Sequence, residues 1–306
     1  MYWEVLTMKK IGLIGLGRMG YNLALNMMDK DIVVIAYDKY LTDEVKNNKA
    51  LKTLPTIKDL VDSLPKPRII WLMVPAGDIT DQVLSEVASL VDKEDIIIDG
   101  GNSNYNDTLR RYETMKAKHI NFVDCGTSGG TEGARYGASL MVGGDKEIVK
   151  QIEWLFEAIA TKNGYGYMGK AGSGHFVKMV HNGIEYGMMQ AIGEGFELLE
   201  KSDFNFNYEE VSKVWAHGSI IQGLLMDTAY SALKKDNRLE GIMGKVDDSG
   251  EGQWTLEAAL KYKASVPVIA QSLFARYKSR DEDHFSEKVV AAMRFEFGGH
   301  KVYKKQ

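Results

Sequence analysis

The sequence predicts an α/β protein: an N-terminal Rossmann-type doubly wound sheet followed by an all-α C-terminal domain. Short apolar runs alternate with amphipathic stretches in the first half, and a glycine-rich turn follows the first of them. The second half shows only helical periodicity. We expect a dinucleotide-binding domain over residues 1–172 and a helical domain for substrate binding and oligomerisation over residues 173–306.

The individual elements follow from these patterns. Between residues 164 and 174 the chain becomes dense in glycine, and we place the domain boundary there. The predicted strands are 10–14, 32–37, 68–74, 95–99, 121–124 and 139–143. The predicted helices of the second half are 174–201, 208–216, 220–234, 254–262, 266–278 and 285–295.

Composition excludes several classes of protein. The 306 residues are 44% hydrophobic and carry a formal net charge of −4, without the basic excess of a nucleic-acid-binding protein. No apolar run reaches the ~18 residues of a membrane span. The single cysteine, Cys125, excludes an internal disulfide and favours a reducing compartment such as the cytoplasm. The first seven residues are either a tag-like extension or an early start.

The strongest cofactor signal lies directly after the first strand, where the chain reads Gly15-Leu16-Gly17-Arg18-Met19-Gly20. Glycines at this spacing permit a tight turn and a close approach to a pyrophosphate, which the next helix stabilises with its N-terminus. A plain tight turn is the alternative. Asp38 ends the second strand, where a carboxylate accepts hydrogen bonds from a ribose and repels a 2′-phosphate, which favours NAD. The adjacent Lys39 keeps NADP possible.

Three polar or glycine-rich clusters follow later strands, at the edge where open α/β sheets bind ligands. Small residues at Val74-Pro75-Ala76 would let a loop approach a flat ring. Asn102 follows two glycines and offers both a donor and an acceptor. Ser128-Gly129-Gly130 would expose consecutive amides to a carboxylate or polyol. Each cluster alone could be an ordinary turn.

A polar stripe marks the first helix of the second half. Lys178, His181, Asn182 and Glu185 stand at positions i, i+3, i+4 and i+7, within an arc of about 100°. The other side chains of this helix are largely apolar, and we expect them to bury it. The stripe is therefore interpreted as a catalytic face. The alternatives are a solvated lysine, a surface ion pair with Glu185, and a core histidine at 181.

These residues resemble one family, the decarboxylating 6-phosphogluconate dehydrogenases. The resemblance covers nearly the whole chain, and its most specific motif is the helical stretch 178–186. Because the chain is much shorter than the long members, it resembles the short, NAD-preferring forms. The motifs that carry the resemblance lie at residues 13–20, 98–103, 128–130, 178–186, 252–254, 274–276 and 294–300.

The resemblance implies oxidation of a phosphorylated sugar acid followed by loss of carbon dioxide, with NAD as cofactor and no metal. It makes Lys178 the general base and then the acid, and Glu185 the final proton donor. For proton removal Lys178 has to be neutral, which burial or neighbouring groups would favour. The substrate-binding residues it implies are Asn102, Ser128, Gly129, Gly130, His181, Asn182, Tyr186, Arg276, Arg294 and His300.

The same resemblance implies a homodimer or homotetramer in which Arg294 and His300 of the C-terminal tail reach the partner subunit. The alternative for this tail is an exposed basic segment. Two departures from the long members concern Pro75, where they carry a lysine, and Glu251, which would repel a nearby phosphate. The alternative function is dehydrogenation of another β-hydroxyacid without decarboxylation, because related dehydrogenases share the catalytic lysine.

Overall fold

The structure is a computed structural model that describes residues 9–304, so the interpretation of the first seven residues lies outside the described part. Its strands are β1 (Lys10–Ile14), β2 (Val33–Tyr37), β3 (Lys52–Thr53), β4 (Ile69–Leu72), β5 (Ile96–Asp99), β6 (Asn121–Ser128), β7 (Ala138–Gly143) and β8 (Ala160–Gly169). The helices among them are α1 (Arg18–Met28), α2 (Asp43–Asn47), α3 (Ile57–Asp62), α4 (Asp78–Leu90), α5 (Tyr105–Ala117), α6 (Gly130–Tyr136), α7 (Lys146–Gln151) and α8 (Glu153–Ile159).

The rest of the chain is helical, as the sequence predicts. Its helices are α9 (Ser173–Glu200), α10 (Tyr208–Ala216), α11 (Leu224–Lys235), α12 (Glu251–Tyr262), α13 (Pro267–Arg280) and α14 (Phe285–Gly298). The chain divides into two compact units, one ending at Asn182 and the other beginning at Gly183. The first three turns of α9 thus belong with the sheet. The domain boundary after residue 172, which glycine density predicts, stays a prediction.

The strand order β3-β2-β1-β4-β5-β6-β7-β8 is that of a doubly wound sheet. Strands β1 to β6 pair in parallel, whereas β6 and β7 pair antiparallel. The order reverses between β1 and β4, and ligands of such sheets bind in the crevice at that point. The predicted Rossmann-type sheet and the all-α second half are both confirmed.

Two strands that sequence patterns did not predict complete the sheet. The short edge strand β3 offers only two residues, too few for an alternation to be recognised. Strand β8 overlaps the glycine-dense stretch 164–174, where the sequence predicted only a domain boundary, and it pairs in parallel with β7. Strand β6 is also longer than predicted and extends through Ser128, because residues 124–128 pair with β7.

Both faces of the sheet are covered, as expected for parallel strands. Successive residues of β4 and β5 pack into different clusters. Trp71, Ile96 and Ile98 belong to one cluster, whereas Ile70 and Ile97 belong to the other. Cys125 is fully buried in the first cluster, and burial raises the pKa of its thiol. This is the environment of a structural cysteine.

The expectation that apolar side chains bury α9 on all sides is wrong for part of the helix. Met179 is buried, but Val177, Ile184 and Met188 are exposed. In the second unit α14 has no buried residue at all among the described ones. Apolar periodicity predicted these helices correctly, but it does not specify which apolar faces one chain covers. No helix in residues 9–304 is long and apolar enough to cross a membrane.

Candidate active site

The glycine-rich turn between β1 and α1 has the geometry of a dinucleotide site. Gly15 has φ +101°, and a Cβ there would lie 2.2 Å from the Met73 carbonyl oxygen. At Gly20 a Cβ would lie 2.0 Å from the Gly15 carbonyl oxygen, so this position serves close packing. Gly17 instead faces open space and caps α1 without a side-chain hydrogen bond. A pyrophosphate could approach Gly17 and accept hydrogen bonds from the first amides of α1.

Asp38 follows β2 at this edge of the sheet, as predicted. One carboxylate oxygen accepts a hydrogen bond from the Leu16 amide at 2.5 Å, and the other accepts one from the Tyr40 amide at 2.8 Å. The acid is therefore fixed beside the glycine turn, in a position to meet a ribose. Lys39 is exposed, with its ammonium group 5.4 Å from the centre of the Tyr40 ring.

The predicted loop Val74-Pro75-Ala76 follows β4, and Pro75 and Ala76 are exposed. A hydrogen-bond network centred on Arg111 of α5 holds the C-terminal end of this loop, at Gly77. The buried guanidinium donates to the Gly77 carbonyl oxygen at 3.0 Å, to the Ser103 hydroxyl at 2.8 Å and to Asp81 at 2.7 Å. One side chain thus joins the loops that follow β4 and β5.

Two acids share this network with Arg111. The fully buried Asp99 accepts from Arg111 at 3.3 Å and from the Ser103 hydroxyl at 2.8 Å. Burial opposes ionisation of Asp81, but the hydrogen bonds from Arg110 and Arg111 outweigh it and hold the pKa of Asp81 below its usual range. Asp81 is therefore ionised near neutral pH and keeps its ion pairs with Arg110 and Arg111.

Asn102 stands next to this network with φ +53°, in the left-handed region. Its amide group donates to the Thr127 carbonyl oxygen at 3.1 Å, and its side-chain oxygen accepts from the Thr127 amide at 2.8 Å. Asn102 therefore joins the loop after β5 to the end of β6, a role that the sequence did not reveal. The same side chain keeps further hydrogen-bonding capacity for a ligand.

The cluster after β6 differs from the prediction in one respect. Residues 126–128 pair with β7, so the backbone that is free of the strand is confined to Gly129 and Gly130. Both have positive φ, 108° and 62°, and α6 begins at Gly130. Ser128 ends the strand and lies near α9. The polar edge at this point consists of one hydroxyl and two glycine amides, which suits an oxygen-rich ligand.

Three residues of the polar stripe, Lys178, His181 and Asn182, form a cluster within the first unit. Lys178 is buried, and its ammonium group donates to the Asn182 side-chain oxygen at 2.7 Å. His181 Nδ1 lies 2.9 Å from the same oxygen, and His181 Nε2 lies 3.2 Å from the Ser128 hydroxyl. Because the amide oxygen only accepts, Nδ1 carries the proton and Nε2 of a neutral imidazole accepts from Ser128.

Close packing places this stripe against β6. A Cβ at Gly126 would lie 2.4 Å from the Lys178 Cβ, so only glycine fits there. The four residues Ser128, Lys178, His181 and Asn182, predicted from separate motifs, are thereby brought together. Glu185 lies on the same continuous helix, seven residues after Lys178, and is half-buried.

The second unit contains Tyr186 and Arg276, two of the substrate-binding residues that the family resemblance implies. The Arg276 guanidinium lies 3.4 Å from the centre of the buried Tyr186 ring and donates to the Asp247 carbonyl oxygen at 2.9 Å. The Tyr186 hydroxyl accepts from the Ser249 amide at 3.0 Å. Arg276 and Tyr186 are thus neighbours, as one shared subsite requires.

The other residues that the sequence singled out differ in their exposure. Arg294 and His300 are exposed, at the end of α14 and just after it. Glu251, the acid that departs from the long members, is buried at the start of α12. Pro75, the other departure, is exposed in its loop.

Sequence patterns missed two buried charges next to the predicted residues. Arg111 lies in the middle of α5, where an arginine looks like an ordinary solvated residue. Asp124 interrupts the apolar run of β6, and an ionisable residue inside a buried strand is the signal that could have identified it. Its carboxylate accepts from the Gly172 amide at 2.7 Å and the His175 amide at 2.9 Å, at the N-terminus of α9.

Comparison with known proteins identifies the family of both domains. The NAD-binding domain of 6-phosphogluconate dehydrogenase matches residues 10–175, and the C-terminal domain of 6-phosphogluconate dehydrogenase matches residues 174–305. A putative 6-phosphogluconate dehydrogenase of Bacillus subtilis is 52% identical over 97% of this chain and all of its own length. The NAD(+)-dependent, decarboxylating 6-phosphogluconate dehydrogenase of Haloferax volcanii is 41% identical, over 97% of this chain and 99% of its own.

A solved structure extends the comparison to the fold. The 6-phosphogluconate dehydrogenase of Plasmodium falciparum, studied without ligand, with NADP+ and with 6-phosphogluconate, superposes with a TM-score of 0.80 at 32% identity. The match covers 97% of this chain and 66% of the Plasmodium chain. By the matches to both domains and to relatives of equal length, this chain belongs to the 6-phosphogluconate dehydrogenase family.

Proposed function

We propose that the chain catalyses the NAD-dependent oxidative decarboxylation of 6-phosphogluconate to ribulose 5-phosphate and carbon dioxide. The observation that carries this proposal is the buried Lys178 joined to Asn182, with His181 and Ser128 beside it. A buried primary amine among hydrogen-bonding groups is what proton transfer to a substrate oxygen requires. The decarboxylating Haloferax enzyme and the Plasmodium enzyme bound to 6-phosphogluconate support this choice of substrate.

The chemistry divides between two proton-handling residues. The dinucleotide, when bound, supplies the hydride acceptor. Lys178 in its neutral form takes the hydroxyl proton at substrate C3 as the hydrogen on that carbon leaves with its electron pair. The Lys178 ammonium then donates to the new C3 ketone oxygen while the adjacent carboxylate departs as carbon dioxide. Glu185 finally gives a proton to the carbon that lost the carboxylate, while the enol hydroxyl returns its proton to Lys178 and becomes the ketone of the product.

Substrate binding is proposed for the residues at the edge of the sheet and on α9. Ser128, Gly129 and Gly130 offer one hydroxyl and two amides, and Asn102 lies beside the end of the same strand. His181 and Asn182 add two polar groups on α9. In the second unit, the Arg276 guanidinium and the Tyr186 hydroxyl would bind the phosphate, since a planar guanidinium suits its oxygens.

NAD is proposed as the preferred cofactor because of Asp38. Its carboxylate is held beside the turn Gly15 to Gly20, where a 2′-phosphate would meet a negative charge. The turn residues Leu16, Arg18 and Met19, together with Val74, Pro75, Ala76 and Asn102, would line the rest of the dinucleotide. The exposed Lys39 would account for residual use of NADP.

A homodimer or homotetramer is proposed from the second unit. Its exposed apolar helices are typical of surfaces that another subunit covers. Arg294 and His300, both exposed on the C-terminal tail, would then complete the site of the partner subunit. We place the enzyme in the cytoplasm, where a single buried thiol stays reduced.

Product trapping tests the proposed reaction. We expect NADH and carbon dioxide in equal amounts from 6-phosphogluconate, and neither from gluconate, because the phosphate is part of recognition. NADH without carbon dioxide would instead identify a β-hydroxyacid dehydrogenase that stops at the ketone. The Lys178→Met protein is the matched control, because it keeps the glycine turn and should bind NAD without forming either product.

A further inference from the structure

Strand β6 and helix α9 meet along a seam in which every second strand residue contacts a later turn of the helix. Asp124 accepts from the Gly172 and His175 amides. Gly126 faces the Lys178 Cβ, and the Ser128 hydroxyl lies 3.2 Å from His181. The contacts on either side of Lys178 therefore fix its position relative to β6.

Placing the Asp124 carboxyl group at the start of α9 carries a cost in desolvation free energy. Its side chain is fully buried, and burial raises the pKa of its carboxyl group, against the hydrogen bonds from the two amides. The cost is offset because both carboxylate oxygens accept an amide and face the positive end of α9. A neutral residue of similar size could not satisfy both amides equally.

Glycines close the space around this carboxylate. A Cβ at Gly143 would lie 2.7 Å from one Asp124 oxygen, and a Cβ at Gly174 would lie 2.9 Å from the other. Only glycine at these two positions leaves room for the carboxylate, so the backbones of β7 and α9 both lie close to Asp124. The close approach places Asp124 between the sheet and the start of α9.

Other helices of the first unit begin in a different way. Thr42, Thr56 and Asn104 cap α2, α3 and α5 with neutral side chains from the residue directly before each helix. Such local caps satisfy amides at the start of a helix but do not attach the helix to another element. The cap of α9 instead comes from a strand some 48 residues earlier, so it fixes the helix to the sheet.

A second brace acts at the same turn of α9. His175 is buried, and its Nδ1 lies 2.7 Å from the Thr108 hydroxyl of α5. The Thr108 hydroxyl donates to the Asn104 carbonyl oxygen at 3.2 Å. The first turn of α9 is thus held from β6 through its backbone and from α5 through a side chain.

We propose that Asp124 is a positioning residue for catalysis, holding the first turn of α9 against β6 so that Lys178 and His181 meet the substrate. The proposal rests on the proposed function, in which Lys178 transfers the proton at C3. Asp124 itself touches no substrate. Its effect is confined to the proton-handling face, since the glycine turn that would bind NAD belongs to β1 and α1.

Replacing Asp124 with Asn tests this role, because the amide group puts a donor against one of the two backbone donors. We expect kcat to fall about 30-fold to 100-fold, the loss typical of a misplaced catalytic group. The KM for 6-phosphogluconate and the Kd for NAD should change less than about threefold, and the primary deuterium isotope effect at C3 should increase. The matched control is Asp145→Asn, which removes an exposed acid at the start of α7.

The proposal is overturned if folded Asp124→Asn keeps kcat within about twofold of wild type. It is also overturned if the Kd for NAD rises by as large a factor as kcat falls. Should the Asn variant fail to fold, Asp124→Ser removes the opposed donor and should show the same selective loss. If neither folds, Asp124 serves the whole fold and the positioning role is rejected.

A readout that needs no turnover separates this proposal from the proposed function. Hydrogen exchange of the Gly172 and His175 amides should accelerate in Asp124→Asn and stay unchanged in Asp145→Asn. If wild type releases no carbon dioxide while exchange accelerates as expected, the proposed reaction fails but the anchoring of α9 stands. Unchanged exchange rejects the anchoring whatever the reaction is.

Discussion

The two units of this chain differ in what their apolar side chains touch. In the first unit Trp71 and Ile97 are fully buried on opposite faces of the sheet, and buried charges join the loops at its edge. In the second unit α14 leaves Val290, Met293 and Phe297 exposed. The first unit thus fixes its polar groups by its own contacts, whereas the last helix of the second unit leaves apolar side chains uncovered.

The difference separates two kinds of candidate residue. Lys178, His181, Asn182 and Ser128 already contact one another within the first unit. Arg294 and His300 are exposed on the second unit. We expect substitutions in the first group to act within one subunit, and those in the second to act only through assembly.

The largest effect is expected from Lys178→Met. Loss of the proton acceptor should lower kcat about 10³-fold to 10⁴-fold, because one group serves both oxidation and decarboxylation. NAD binding, followed by fluorescence, should stay unchanged. Lys170→Met, at an exposed position of the same unit, is the control and should keep full activity. Near-normal turnover in Lys178→Met would show that another residue is the general base.

A large loss of stability is expected from Arg111→Met. The change leaves the fully buried Asp99 without its cation, which typically costs about 3–5 kcal/mol. Urea unfolding should show a lower midpoint with an unchanged slope. Arg110→Met is a close control, because Arg110 pairs with the same Asp81 from an exposed position and should cost less than about 1 kcal/mol. Equal losses would show that the network does not support the loops.

Some of this organisation follows from local sequence and some does not. The turn Gly15 to Gly20 and the stripe Lys178 to Glu185 lie within single elements, where spacing alone places the groups together. Arg111 and Asp124 act across elements distant in sequence, so their partners depend on the folded sheet. Strand β8 was missed for the same reason, because its hydrogen-bonding partner is β7 and the glycine-dense stretch that it overlaps indicated only a domain boundary.

Assembly is tested by mixing two inactive variants. His300→Ala should lower kcat about 30-fold if the tail completes a partner's site. Refolding it with an equal amount of Lys178→Met should restore about a quarter of wild-type activity, because half of the dimers are mixed and each has one intact site. Recovery should not occur if the tail serves its own subunit. The control for refolding yield is His300→Ala refolded with an equal amount of Lys170→Met, whose C-terminal tail is unchanged.

The smallest change is expected at Asp38, which lies in the first unit beside the glycine turn. Asp38→Ala removes the charge that a 2′-phosphate would meet, so the ratio of kcat/KM for NADP to that for NAD should rise about tenfold. The two kcat/KM values should not both rise, because Asp38 also accepts a hydrogen bond from the Leu16 amide and its loss loosens the glycine turn. Asp43→Ala, at an exposed acid of α2, should leave the ratio unchanged. Because the cofactor turn lies within the first unit, the shift should be the same at every protein concentration. A ratio that varied with concentration would show that the first unit depends on assembly after all.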